Sequence, residues 1–282
     1  MRKVWIEVAL NGAWSRKLQP RIPDTVDAIV ADGIACARAG AAIVHTHAYQ
    51  DGRHVFDWQV YARIIEGIRA EIDVPVYPSY PAAEPGMAPE QRFAHVEALA
   101  ERGLLEFAVV DPGSVNFTPA ITTAEAKPAF TYLNPEAHVR YALAFAARRG
   151  LPPAYAIYEP GFTRAGAALA RAAGVKTPMY RFMFSQSFAF GFPPRPYALA
   201  AHVALLRELD AAAPWMIAGL SVDVRPLIAE TVARGGHVRV GLEDAPLGSS
   251  TGNVAWVEDA VRLVRDAGGE PATATDVRAA LR

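Results

Sequence analysis

Residues 41–47 read Ala-Ala-Ile-Val-His-Thr-His, and residues 236–244 read Gly-His-Val-Arg-Val-Gly-Leu-Glu-Asp. Both are short, largely β-branched apolar runs, and both stop on groups that can hold a metal. Alternate residues of a strand face the same side, so His45 and His47 are expected to project together. In the second run Val238, Val240 and Leu242 form one face, while Arg239, Gly241 and Glu243 form the other. Gly241 then leaves space between two charged groups. Two imidazoles and one carboxylate, His45, His47 and Glu243, make an open-sided site with a coordination position free for substrate or water. A single histidine in such a place is usually a core residue bonded to backbone. Two on one face, with an acidic pair ending a second strand, favour a metal. An interior arginine needs a carboxylate partner, and Asp244 is the nearest in sequence to Arg239.

Working outward, apolar runs alternate with helix-like segments along the whole chain. The strand candidates are 3–10, 41–47, 74–79, 105–110, 154–159, 178–184, 214–220 and 236–242. The helix candidates are 24–39, 57–71, 89–102, 134–149, 162–173, 195–212, 223–234 and 252–267. Strict alternation implies a parallel sheet, and eight of each predicts an α/β fold, a closed (β/α)8 TIM barrel. Asp24, Asn134 and Asp223 sit where helix N-caps belong. Gly40, Gly103, Gly150, Gly174 and Gly235 follow their helices, where a left-handed residue is wanted. No linker-like shift divides residues 1–282, so one domain is expected. Residues 270–282 form a short C-terminal extension, with a helix from Thr275 read as an oligomer contact.

The 282 residues carry a net charge of −1 and no basic run, which argues against nucleic acid as a partner. One cysteine, Cys36, permits no internal disulfide and fits a reducing cytoplasm. Met1–Gly12 reads as a first strand rather than a signal peptide, because Glu7 interrupts its apolar run. No stretch approaches the ~20 apolar residues of a membrane span.

Several further residues fall at strand C-terminal ends, where barrel enzymes build their sites. These are Asn11 and Trp14 after strand 1, Ser79 after strand 3, and Asp111 after strand 4. Gly113-Ser114-Val115-Asn116-Phe117 offers backbone N–H groups to an oxyanion. Ser79 and Asp111 are equally compatible with turn chemistry. Glu7 and Arg181 are each placed to point into the barrel and are expected to pair there. His237 starts strand 8 and reads as structural. His54, His95, His138 and His202 fall in loops or on helices and are expected to be solvated. Cys36 reads as a small buried hydrophobe. Phe188, Phe190, Phe192 and Trp256 read as apolar residues covered by a neighbouring subunit, or, for 188–192, as a lid over the site.

Five stretches together resemble the β-keto acid cleavage enzymes: VALNGA (8–13), ARAGAAIVHTHAYQDGR (37–53), PEQRFAHVEAL (89–99), GSVNF (113–117) and GGHVRVGLED (235–244). The resemblance covers nearly the whole chain. It implies a TIM barrel with a divalent metal, usually zinc, on His45, His47 and Glu243; such ligands also accept Mn, Co or Ni. It implies an Arg239–Asp244 dyad, with Ser79 touching the reacting acid. It implies condensation of a β-keto acid with acetyl-CoA, then cleavage to acetoacetate and a new CoA thioester. It also implies a homo-oligomer, typically a tetramer.

The departures bear on the substrate. Trp14 stands where the aminohexanoate-cleaving member of the family carries a glutamate suited to an ammonium group. An apolar wall there predicts a substrate without a primary amine, with either an apolar tail or a quaternary ammonium. Tyr77–Pro81, Asp111-Pro112 and Ala245 also depart from the family pattern. Two other readings stay open. One is a metal-dependent hydrolase or aldolase on the same barrel; the other is a non-catalytic metal-binding relative. Against the first, the His-x-His pair lies on strand 2, no other predicted strand ends in histidine, and the lysines (Lys3, Lys17, Lys127 and Lys176) fall near strand starts or in loops.

Overall fold

A computed structural model describes residues 1–120, 130–175 and 178–281. Lys127, Lys176 and the last residue of the C-terminal extension lie outside the described residues. Eight parallel strands form one sheet: β1 (Ile6–Ala9), β2 (Ile43–Thr46), β3 (Val76–Pro78), β4 (Ala108–Val110), β5 (Pro153–Ile157), β6 (Met179–Phe184), β7 (Trp215–Gly219) and β8 (His237–Val240). Their order is β3-β2-β1-β8-β7-β6-β5-β4, the cyclic order of a TIM barrel. β8 pairs with β1, which closes the sheet on itself apart from a seam between β3 and β4. Prolines at 75 and 78 deprive β3 of two donors, and proline belongs at strand edges.

The barrel helices are α1 (Val26–Ala39), α2 (Trp58–Arg69), α3 (Pro89–Glu101), α4 (Glu136–Arg149), α5 (Pro160–Ala173), α6 (Pro196–Leu209), α7 (Ile228–Arg234) and α8 (Asn253–Asp266). In α2 the buried residues Val60, Tyr61, Ile64, Ile65 and Ile68 recur every three or four positions, which gives a stripe facing the sheet. All sixteen expected elements are present, each shifted by a few residues at its ends. The largest shift is in α7, where a 3-10 turn (Arg225–Leu227) precedes the α-helix.

The expected left-handed glycines are where predicted: Gly103, Gly150, Gly174 and Gly235 all have φ between 65° and 97°, and Gly40 closes α1. The expected N-caps are not. Thr25, not Asp24, caps α1 by accepting from the Ala28 N–H. Asn134 is buried one residue outside the Pro135 cap of α4 and spends its side chain on Arg92 and the Gly113 carbonyl. Asp223 lies before the 3-10 turn and holds Arg225.

The terminal segment packs on its own barrel. Gly269–Pro271 pairs in parallel with Arg2–Val4. A ninth helix, α9 (Ala274–Leu281), is anchored by Arg278 to Asp73 and Glu106 at 2.8 and 2.6 Å. These contacts hold the segment against its own barrel. Phe190 and Trp256 are likewise buried within the chain, with Arg225 stacked 3.9 Å over Trp256. They give no support to an oligomer interface.

Candidate active site

β2 delivers His45 from its last turn, and His47 follows one residue beyond the strand. β8 ends at Val240, and the chain then bends. Gly241 has φ +129°, and a Cβ there would lie 2.3 Å from the Ala9 carbonyl oxygen. Its glycine is therefore required by the approach of the β1 backbone, not by space between Arg239 and Glu243. The bend carries Glu243 to within 3.3 Å of His45 Nε2 and 3.6 Å of His47 Nε2. One ligand atom from each of the three residues lies within 4.8 Å of the others. Glu243 Oε2 is buried without a hydrogen-bond partner among the described residues, an acceptor whose lone pairs a cation would use.

The surroundings fix the protonation that a metal needs. Burial, reinforced by Arg239 and His47, pulls the His45 imidazole down to about 4, so at neutral pH it is a neutral base. Burial would push the Glu243 carboxyl up, but Arg239 and the two histidines outweigh it and hold it well below the usual carboxylate range. His47 is oriented from two sides. Asn11 accepts the His47 N–H at 2.9 Å and donates to the His47 carbonyl at 3.1 Å. His47 Nδ1 lies 3.0 Å from His54 Nε2, leaving Nε2 of His47 directed at Glu243.

His54 was expected in solvent and is instead part of this constellation, partly buried on a hairpin of Ala48–Gln50 and Arg53–Val55. Asp51 and Gly52 turn that hairpin at φ 52° and 71°. The signal was in the sequence: Asp-Gly between two short runs is a type I′ hairpin turn. His95, His138 and His202 are also buried rather than solvated. His95 bonds the Ser79 carbonyl at 2.8 Å, and His202 stacks on Phe182 at 4.6 Å. His237 is structural as expected, stacked on Trp5 and accepting the Trp5 N–H at 3.0 Å. Cys36 is fully buried.

Arg239 sits beside the triad. Its Nε and Nη2 donate to the two oxygens of Asp244 at 2.9 and 2.8 Å, and Nη2 lies 2.9 Å from Glu243. Asp244 also accepts the Gly219 N–H. Burial raises the Asp244 carboxyl above its ordinary value, with Arg239 opposing. Arg239 lines the cavity at the barrel mouth, whereas Asp244 lies behind it. Below, Glu7 is fully buried and bonds Arg239 Nη1 at 3.1 Å and the Tyr77 hydroxyl at 2.5 Å. Arg181 lies 3.7 Å from Glu7 and also reaches Tyr77. The interior Glu7–Arg181 pair is present, extended by Arg239 and Tyr77 into a four-residue network.

The cavity holds about 540 Å³. Its floor is built of inward-facing strand residues, including Val109, Ala156, Arg181 and Met183, and its upper wall is mostly aromatic. Trp14 and Ser79 line it. Trp14 also donates from Nε1 to the Glu243 carbonyl at 2.8 Å, pinning the loop that carries Glu243. Asp111 lines it with its oxygens engaged by Tyr132 and Ala156. The structure does not bring Asn11 or Ser114 to the cavity. Asn11 is saturated by backbone, Pro23 included. Ser114 accepts the Asn134 N–H from an exposed position. The stretch 115–117, expected to offer N–H groups, pairs antiparallel with Phe130–Tyr132. Phe188 lines the cavity as well. A second cleft, of about 650 Å³, opens at the opposite end of the barrel around Arg2, Trp5 and Trp215; that face serves stability in barrel enzymes.

A parallel barrel with two histidines and a glutamate converging at its C-terminal mouth defines a TIM-barrel enzyme. Residues 3–282 match the model of the β-keto acid cleavage enzyme family, and the chain belongs to that family. It is 27% identical to a 3-keto-5-aminohexanoate cleavage enzyme of Fusobacterium nucleatum, over 99% of this chain and 97% of that protein. It is 27% identical to a 3-oxoadipate:acetyl-CoA acetyltransferase of Cupriavidus necator, over 98% and 93%. It is 26% identical to a 3-dehydrocarnitine:acetyl-CoA trimethylamine transferase of Rhizobium meliloti, over 100% and 97%. Among solved structures, a binary complex of ObcA with oxaloacetate superposes with a TM-score of 0.71 at 18% identity, covering 93% of this chain and 67% of that one; this likeness speaks for the fold alone.

Proposed function

We propose that this enzyme condenses a β-keto acid with acetyl-CoA and cleaves the adduct to acetoacetate and a new CoA thioester, using zinc held by His45, His47 and Glu243. The observation that carries the reading is the His45–His47–Glu243 cluster beside a cavity-facing Arg239. The donor set fits the ion: a neutral buried imidazole, an ionised carboxylate with an unpartnered buried oxygen, and a second imidazole oriented by His54 and Asn11. When bound, the ion supplies Lewis-acid polarisation of the keto acid's carbonyl.

In this reading the Arg239–Asp244 pair accepts the proton from the carbon between ketone and carboxylate. Arg239 faces the substrate, and Asp244 acts through it as a positioning residue. The resulting carbanion attacks the acetyl carbonyl and expels CoA thiolate. The thiolate then attacks the original ketone, the carbon–carbon bond breaks, and acetoacetate leaves as its carbon is reprotonated. Ser79, at the rim, contacts the acid. Trp14 walls the cavity where a primary amine would need a counter-charge, so the substrate lacks one. Asn11 is assigned to positioning His47, and Ser114 is left without a substrate role. The family relationship supports a tetramer, and the lone buried Cys36 is compatible with a cytoplasmic setting.

The test is a coupled assay for acetoacetate and CoA thioester on zinc-loaded protein, with acetyl-CoA and a panel of β-keto acids. Product that disappears in Glu243→Ala, together with loss of bound zinc, is expected. No product from any acid by zinc-loaded protein sinks the proposal.

A further inference from the structure

Glu243 reaches the two histidines from a loop beyond β8, which ends at Val240. Two buried side-chain amides hold that loop. Asn253, the first residue of α8, accepts the Leu242 N–H on Oδ1 at 2.8 Å. Its Nδ2 donates to the Leu10 carbonyl at 2.8 Å and to Asp32 on α1 at 2.6 Å. Gln19, between β1 and α1, donates from Nε2 to the Leu242 carbonyl at 3.1 Å and to the Pro246 carbonyl at 3.3 Å. Its Oε1 accepts the Ser249 N–H at 2.9 Å. Gln19 is fully buried and Asn253 nearly so. Each amide spends its donors and its oxygen on fixed partners. Turning either one over would set its oxygen against carbonyl or carboxylate oxygens. Glu243 itself is held at both backbone groups. Its N–H donates to the Ala9 carbonyl at 3.2 Å, and its carbonyl accepts from Trp14 Nε1 at 2.8 Å.

Building on the proposed zinc site, we propose that Gln19 and Asn253 are positioning residues for the metal. They fix the backbone on both sides of Leu242, so that the Glu243 carboxylate stands at the histidines before an ion arrives. Among the described residues neither amide bonds a ligand side chain; both act through the backbone. The peptide unit between Leu242 and Glu243 is the lever. Gln19 holds its carbonyl and the Ala9 carbonyl holds its N–H, so rotating the unit, which would swing the carboxylate away, breaks both bonds. Leu242 and Gln19 are fully buried, so the broken partners would be left unsatisfied, and that is costly. Gln19 and Trp14 lie on the same loop, which therefore grips both Leu242 and Glu243. A ligand held in place in advance spends less conformational freedom when the ion binds. A grip that served only to stabilise the turn would affect zinc equally with or without the Glu243 carboxylate, and this separates the two roles.

The experiment measures zinc affinity, by competition with a chelating dye, for the wild type, Gln19→Met, Glu243→Ala and the double variant. Gln19→Met should weaken zinc about tenfold. In the Glu243→Ala background, where the two histidines hold the ion alone, the same change should weaken it by less than about twofold. Asn253→Ala should follow the same pattern. If neither amide variant folds, Trp14→Phe tests the same grip by a conservative change at a half-buried position. It removes the bond to the Glu243 carbonyl and should weaken zinc severalfold, again only when Glu243 is present. Unchanged affinity, or an equal loss in both backgrounds, overturns the role of the residue changed while leaving ligation by Glu243 standing. Unchanged affinity in Glu243→Ala overturns the proposed zinc site and the inference with it.

Discussion

Glu7→Gln should destabilise the protein through a residue that it does not bond closely. Glu7 is fully buried and is the one carboxylate within ion-pair distance of Arg181 among the described residues, at 3.7 Å. Arg239, its other partner, keeps Asp244 at 2.8 Å and Glu243 at 2.9 Å after the substitution. The loss therefore falls on Arg181, which is left as a buried cation with only the Tyr77 hydroxyl and the Ala154 carbonyl beside it. Removing one partner of a buried pair costs about 3–5 kcal/mol. For a chain of this length, an unfolding entropy of about 2.1 cal/mol/K per residue turns that into a drop of about 5–8 °C in Tm. The assay is urea unfolding of the wild type, Glu7→Gln, Arg181→Met and the double variant, with matched thermal scans. Arg181→Met alone should cost less, because Glu7 retains Arg239. Adding Arg181→Met to Glu7→Gln should recover a good part of the loss, giving a coupling of about 2 kcal/mol. A Glu7→Gln cost under about 1 kcal/mol, or no rescue by Arg181→Met, would refute the reasoning.

Four further outcomes are expected. His54→Ala should weaken zinc about 10–100-fold by freeing the His47 ring, read by competition with a chelator; unchanged affinity would remove His54 from the site. Gly241→Ala should cost more than about 3 kcal/mol, since its Cβ meets the Ala9 carbonyl at 2.3 Å with φ +129°, and a stable variant with intact zinc binding would contradict that. Burial holds His202 down to about 4 and His237 to about 3, so both are neutral when folded and gain protons on unfolding. Stability should be level above about pH 6.5 and fall as pH drops from there toward 4; unfolding curves across pH should show a shallower fall in His202→Leu, and an unaltered slope would count against the assignment. Light scattering on the eluting protein should give about four times the 30.3 kDa chain mass, and a monomer would end the tetramer expectation.

Much of the barrel was legible because its rules are local. Alternating apolar runs, and glycines just past helices, come from strand and helix periodicity acting over a few residues, and the eight-strand order follows from right-handed crossovers. The convergence of His45, His47 and Glu243 was legible for the same reason: they stand at strand ends, and strand ends meet at a barrel mouth. The N-caps were misread because Asp24, Asn134 and Asp223 found partners distant in sequence or one residue off. His54 was missed because its partner, His47, is reached only when Asp51-Gly52 folds the hairpin back.

The sequence by itself determined which residues stand at the mouth. What only the tertiary structure decided is which of them share the cavity and what charge each meets there. Ser114 and Asn11 carry chemistry suited to a substrate, yet the one turns to solvent and the other is consumed by backbone. Asp111 reads as a turn residue and becomes a buried carboxylate lining the cavity, held by the Tyr132 hydroxyl and the Ala156 N–H. Arg239 is held by Asp244 on one side and Glu7 on the other. Those differences arise because hydrogen-bond saturation and burial are properties of atoms a few ångströms apart in space, supplied here by β1, β3, β6 and β8 together.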